Sequence, residues 1–145
     1  MPAESDVVEV VRDWIQKAEN DLTTASHTVK LGKRCPTDTV CFHAQQCVEK
    51  YLKAMLVLAG IDFPRTHDLG VLVFRCSGKT ALDVLPEELD RMTEYATTSR
   101  YPGDYELISL AEARRAVSIS RRVRKVIRKR LPRVVLRPRM SIVST

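Results

Sequence analysis

The stretch "FHAQQCVEKYLKAMLVLAGIDFPRTHDLG", residues 42–70, decides how the rest of the chain is read. With Cys41 just ahead of it, its apolar residues recur at three- and four-residue steps, the period of one face of an α-helix. Cys41, Ala44, Val48, Tyr51, Leu52 and Met55 form the expected buried stripe. Gly60 stands where a left-handed C-terminal stop belongs. Pro64 holds Phe63 extended, and Thr66 is placed to cap a short helix that runs to about Arg75.

The same period extends outward in both directions. Val7, Val8, Val11, Trp14, Ile15, Ala18, Leu22, Ala25 and Val29 predict one long amphipathic helix ending near Gly32. "CPTD" then breaks the chain, with Thr37 or Asp38 as the expected N-cap of the second helix. Further on, Pro86 suits the first turn of a helix that continues to about Tyr95. "TTSRYPGDYE" reads as a loop by its Ser, Pro and Gly content. Ser109 and Glu112 make a capping box for a last helix that stops at about Leu131, before Pro132.

No strand alternation and no internal repeat interrupts this pattern. With 5 glycines and 6% aromatic residues, a sandwich or barrel lacks both its turns and its strands. The spacing predicts an all-α fold, an antiparallel up-and-down bundle of about five helices over residues 1–131. Residues 132–145 are expected to form a basic C-terminal tail, flexible or irregularly docked.

At 145 residues and 44% hydrophobic content the chain can bury a core as one domain. The start "MPAESDVVEVVRDW" has no basic-then-apolar signal pattern. No apolar run approaches the roughly 18–20 residues that a membrane span requires, so a cytoplasmic protein without a membrane partner is expected. Cys35, Cys41 and Cys47 are six apart and Cys76 is remote. Zinc ligand pairs usually lie about two to four residues apart, so reduced packing cysteines and no metal site are expected.

The net charge of +6 conceals an asymmetry. Residues 1–108 carry 12 basic and 17 acidic side chains, whereas residues 109–145 carry 12 basic ones and the single acid Glu112. A basic end on an acidic body either recruits an anion or lies against the protein's own carboxylates.

Four groups of residues can carry chemistry. On the second helix His43, Gln46, Lys50 and Lys53 share an arc opposite the apolar stripe. They form either a solvated face or a line of donors for phosphates. Phe42, beside that arc, suggests contact with another subunit. In "PRTHDLG", His67 beside Asp68 is either a carboxylate-oriented imidazole or part of a helix cap, with Arg65 adjoining. In "SRYPGDY", Arg100 can clamp a phosphate while Tyr101 stacks on a base.

The last helix is the fourth group. It sets Leu110, Ala113, Val117, Ser120, Ile127 and Leu131 against a cationic side containing Arg114, Arg115, Arg121, Arg122, Lys125, Arg128 and Lys129. RNA, DNA or an acidic partner would relieve their mutual repulsion.

"WIQKAENDLTTA", "CFHAQQCVEKYLKAMLVLAGIDFPRTHDL" and "TTSRYP" together resemble the HEPN family, the higher eukaryotes and prokaryotes nucleotide-binding domain. The resemblance spans about Trp14 to Leu131, and Cys41–Leu69 is its most specific part. It implies a bundle of about five helices, often a homodimer, paired with a minimal nucleotidyltransferase in toxin–antitoxin fashion. It also implies a nucleotide ligand such as ATP or GTP, with His43, Gln46, Lys50, Lys53, Arg65, His67, Arg100 and Tyr101 as the binding set. Many HEPN proteins are metal-independent RNases with an Arg followed, four to six residues later, by a His. Here the positions five to seven residues before His27, His43 and His67 hold Asn20, Asp21, Leu22, Pro36, Thr37, Asp38, Gly60, Ile61 and Asp62. None is Arg, so no catalytic residue is assigned. An RNA-directed alternative, an RNase toxin or an RNA binder, uses Arg121, Arg122, Lys125 and Arg128.

Overall fold

In the computed structural model, residues 4–76, 82–97 and 107–138 are described, and all regular structure among them is helical. The order is α1 (Glu4–Val29), a 3-10 turn (Gly32–Arg34), α2 (Thr37–Ala59), α3 (Leu69–Arg75), α4 (Pro86–Thr97), α5 (Leu110–Arg130) and α6 (Arg133–Leu136). The short turns between α1 and α2 and between α2 and α3 return each helix onto its neighbour, as in a helical bundle.

α2 is the central element. It packs most extensively on α1, then on α5, and also meets α4 and α3. That position explains its wide apolar arc: Tyr51, Leu52 and Leu56 are essentially inaccessible, each contributing on the order of 1.5–3 kcal/mol of transfer free energy. α1 covers it with Val11, Ile15, Ala18, Leu22 and Ala25, a strict four-three repeat. Small residues set the contact of α2 with α5. Ala113 and Ala116 are buried, and Ser120 turns its hydroxyl to Ala44 O at 2.7 Å and to Ala116 O at 3.0 Å.

Several local expectations are revised. The N-cap of α2 is Pro36, without a side-chain cap bond, while Asp38 sits in the first turn and accepts from Thr39 N. α3 is capped by Asp68, whose carboxylate accepts from Val71 N at 3.2 Å, and Thr66 instead accepts from Asp68 N. A carboxylate is the better partner for the free amides and positive end of a helix. Gly60 does end α2 in the left-handed region, at φ 70°.

Only half of the Ser109–Glu112 box forms. Ser109 Oγ accepts from Glu112 N, but the Glu112 carboxylate is engaged by Arg91. Met55 and Leu110 are half-buried rather than in the core. In the segment after Pro132, Arg133–Leu136 is a short helix against α1, with Val135 buried and Arg12 Nε bonded to Val134 O at 2.9 Å.

Candidate functional site

On α2 the polar side chains Gln45, Gln46, Glu49, Lys50, Lys53 and His43 follow one another around an arc of the helix. This arc lies between α1 and the link into α3, and its members are mutually bonded rather than solvated. Gln45, Glu49 and Lys53 are buried.

Two carboxylates organise the arc. Glu49 receives Lys53 Nζ at 3.0 Å, His67 Nδ1 at 2.7 Å and Gln45 Nε2 at 3.2 Å. Gln45 also donates to His67 O at 3.1 Å, and Gln46 donates to Gln45 Oε1 at 2.7 Å. Burial opposes ionisation of Glu49, but the bonds from His67, Lys53 and Gln45 outweigh it and hold the carboxyl below its usual range. Asp21 of α1 is the second anchor, taking His43 Nδ1 at 2.7 Å and the Lys50 ammonium. The Lys53 ammonium also lies 5.6 Å from the Trp14 ring centroid and 5.9 Å from that of Phe63, distances at which a ring face attracts a cation.

The solvated-face reading of this arc is therefore corrected. Lys53 is buried, and His43 and Lys50 are half-buried, because α1 and the link into α3 cover their side of α2. As free phosphate-neutralising cations Lys50 and Lys53 are already matched by Asp21 and Glu49. His67 differs: its side chain is 55% exposed while the Glu49 beneath it is 4% exposed. With Nδ1 spent on Glu49, its Nε2 has no bond among the described residues. Arg65 is exposed beside it. Arg100 and Tyr101 lie outside the described residues.

The cationic helix is divided in two. Arg124 makes a bidentate pair with Glu19 at 2.7 and 2.8 Å, and Arg128 reaches Tyr51 Oη at 3.2 Å and Glu19 at 3.8 Å. Burial opposes Glu19 ionisation, but Arg124 and Tyr51 outweigh it and lower its pKa. Arg122 bonds Asp83 O and Glu88. Arg122 and Arg128 are thus paired with the protein's own carboxylates and do not share the exposed line of Arg121 and Lys125. Arg121 touches only Ser26 Oγ among the described residues, at 3.1 Å, and Lys125 is exposed. Arg114 and Lys129 are exposed too and share the line of Arg121 and Lys125 at helical spacing.

The residues that sequence reading missed are the anchors. Glu49 stands four residues before Lys53 on one helix, a readable signal. Asp21, Glu19 and Arg124 had none, because their partners lie on other helices. The four cysteines are buried and form no disulfide, and burial pushes the thiols of Cys35, Cys47 and Cys76 up, which disfavours the reactive thiolate. Among the described residues no cluster of His, Cys, Asp and Glu could hold a metal ion, and no helix is long and apolar enough to cross a membrane.

Residues 11–130 match the HEPN domain family. The chain is 35% identical over 99 residues to a protein of Methanocaldococcus jannaschii named "Putative toxin MJ1304", covering 63% of this chain and 63% of that relative's length. It is similar in structure to ST0689, described as an archaeal HEPN homologue. The TM-score there is 0.66 at 27% identity, over 83% of this chain and 96% of that one. TT1696 from Thermus thermophilus shares the fold, with a TM-score of 0.66 at 23% identity over 83% of this chain and 98% of that one.

Proposed function

The chain belongs to the HEPN family, and from that premise we propose that it is the nucleotide-binding member of a toxin–antitoxin-type pair, working with a minimal nucleotidyltransferase partner and not itself cutting RNA. The observation that carries this reading is the exposed His67 imidazole held by the buried Glu49. A buried ion cluster adds little to stability compared with an apolar core, whereas it fixes a surface donor in one orientation, as a binding site requires. His67 and Arg65 are the ligand-facing groups, His43 and Gln46 border them, and Lys50 and Lys53 hold the two carboxylates in place. Arg100 and Tyr101 would supply the phosphate and base contacts. The resemblance to a protein named as a toxin supports the pairing.

A thermal-shift titration against ATP, GTP, CTP and UTP, with and without magnesium, tests it. Saturating one nucleotide at a hundredfold excess over its Kd should stabilise the fold by about 2.7 kcal/mol, and His67→Ala should abolish that gain. If no nucleotide shifts the transition, the nucleotide reading is wrong. In the same reading the protein is a homodimer, with Phe42, 40% exposed, at the subunit contact. Sedimentation equilibrium of Phe42→Glu against the parent checks that contact.

A second reading rests on Arg114, Arg121, Lys125 and Lys129, exposed on one line of α5. That line fits the phosphate backbone of RNA.

A further inference from the structure

α1, the C-terminal end of α5 and the segment through α6 enclose a cleft of about 210 Å³ whose lining includes Arg12, Glu19, Arg128, Val135 and Arg137. Three arginines from three separate segments line one small space. Two of them are fixed by bonds to the protein. Arg12 gives Nε to Val134 O at 2.9 Å and Nη1 to Glu9 at 2.7 Å, and Arg128 gives Nη1 to Tyr51 Oη at 3.2 Å. A guanidinium carries five N–H donors in a planar fork, and Nη2 of Arg12 and both Nε and Nη2 of Arg128 have no hydrogen bond among the described residues. Arg137 is exposed and makes no bond among the described residues.

The one carboxylate in the wall does not cancel this charge. Both oxygens of Glu19 are taken, by Arg124 at 2.7 and 2.8 Å and by Tyr51 Oη at 2.8 Å. Among the residues that line the cleft, Arg12, Arg128 and Arg137 stand against Glu19 and leave an excess of two positive charges. A phosphate monoester carries roughly −1.5 to −2 at pH 7 and presents three acceptor oxygens, which two or more arginine forks can bind in parallel. An extended apolar ligand would gain little from a cleft so small and so charged.

We propose that this cleft is a binding site for a terminal phosphate, carried by a free nucleotide or by the phosphorylated end of an RNA. It uses none of the α2 residues and does not depend on the nucleotide reading of His67.

The test is calorimetric titration of the full chain at constant ionic strength. The probes are inorganic phosphate, adenosine 5′-monophosphate, and two oligoribonucleotides that differ only in a 5′-phosphate or a 5′-hydroxyl. Binding of phosphate and the monophosphate assigns the site to free phosphates. Binding of only the 5′-phosphorylated strand assigns it to RNA ends. In either case Arg137→Gln, at an exposed position that the fold does not need, weakens binding by about tenfold or more. Arg133→Gln, an exposed neighbour outside the cleft, does not. Equal losses in the two variants, or no preference for phosphate over chloride together with none for the phosphorylated over the hydroxyl strand, would overturn the proposal.

Discussion

Lys53 shows what the smallest scale contributes. Its ammonium lies near two aromatic rings and meets Glu49 at 3.0 Å, with side chains only 10% and 4% exposed. Removing one member of such a pair leaves the other charge stranded in a poor dielectric. Lys53→Ala is therefore expected to destabilise the protein by about 3–5 kcal/mol, read as a lowered urea midpoint. Lys53→Met with Glu49→Gln should recover much of that loss, since two neutral groups can share the space. His67→Ala should cost far less, about 1 kcal/mol, because the imidazole stands half in water and Glu49 keeps Lys53 and Gln45. If His67→Ala were as damaging as Lys53→Ala, His67 would be a structural group and the binding role given to it would fail.

Helices add constraints that single residues do not carry. α2 ends because Gly60 adopts φ 70° and donates its N–H to the last carbonyls of the helix. A Cβ built there meets nothing within 4 Å, so Gly60→Ala tests backbone strain alone. It is expected to cost about 1–2 kcal/mol, seen as a lower Tm with little change in other properties. α5 carries charge on two sides with different fates. Arg122, Arg124 and Arg128 are tied to Glu88 and Glu19, while Arg114, Arg121, Lys125 and Lys129 are exposed. If single-stranded RNA binds α5, changing those four to Gln should lower the slope of log Kobs against log salt by about 0.7 for each phosphate that the helix no longer neutralises. An unchanged slope would remove α5 from the RNA reading.

For the whole molecule the paired carboxylates Glu19 and Glu49 set an acid limit. Glu19 and Glu49 both have pKa values below their ordinary position in the folded protein. A depressed carboxylate pKa means that the unfolded chain binds the proton more tightly. The stabilisation is thus complete above the unfolded pKa of about 4.3 and is lost as pH falls through the lower folded values. Urea midpoints should hold steady from pH 7 to about 5 and fall steeply below about 4. Glu19→Gln should flatten that fall while lowering the plateau. A parent curve as flat as the variant's would show that Glu19 is not held ionised by Arg124 and Tyr51.

Periodicity alone determined the all-α bundle and the approximate extent of its helices. The apolar repeat of α1, the stripe of α2 and the stop at Gly60 are local consequences of 3.6-residue geometry and of the backbone freedom of glycine. The choice of cap was less legible. Thr66 and Asp68 are both competent, and only the folded path into α3 shows which of them meets Val71 N. The site was legible as a set of residue types on one face and illegible as a set of bonds. Spacing on α2 groups His43, Gln46, Lys50 and Lys53, but carries no information about what lies opposite. Asp21 is 29 residues from Lys50, and Arg124 is 105 residues from Glu19. Tertiary packing alone decided that Lys53 is buried, that Arg128 meets Tyr51 and Glu19, and that the His67 imidazole stands over a buried carboxylate. The reason is that charge in a protein is read through its partner and its dielectric, and both are supplied by other helices.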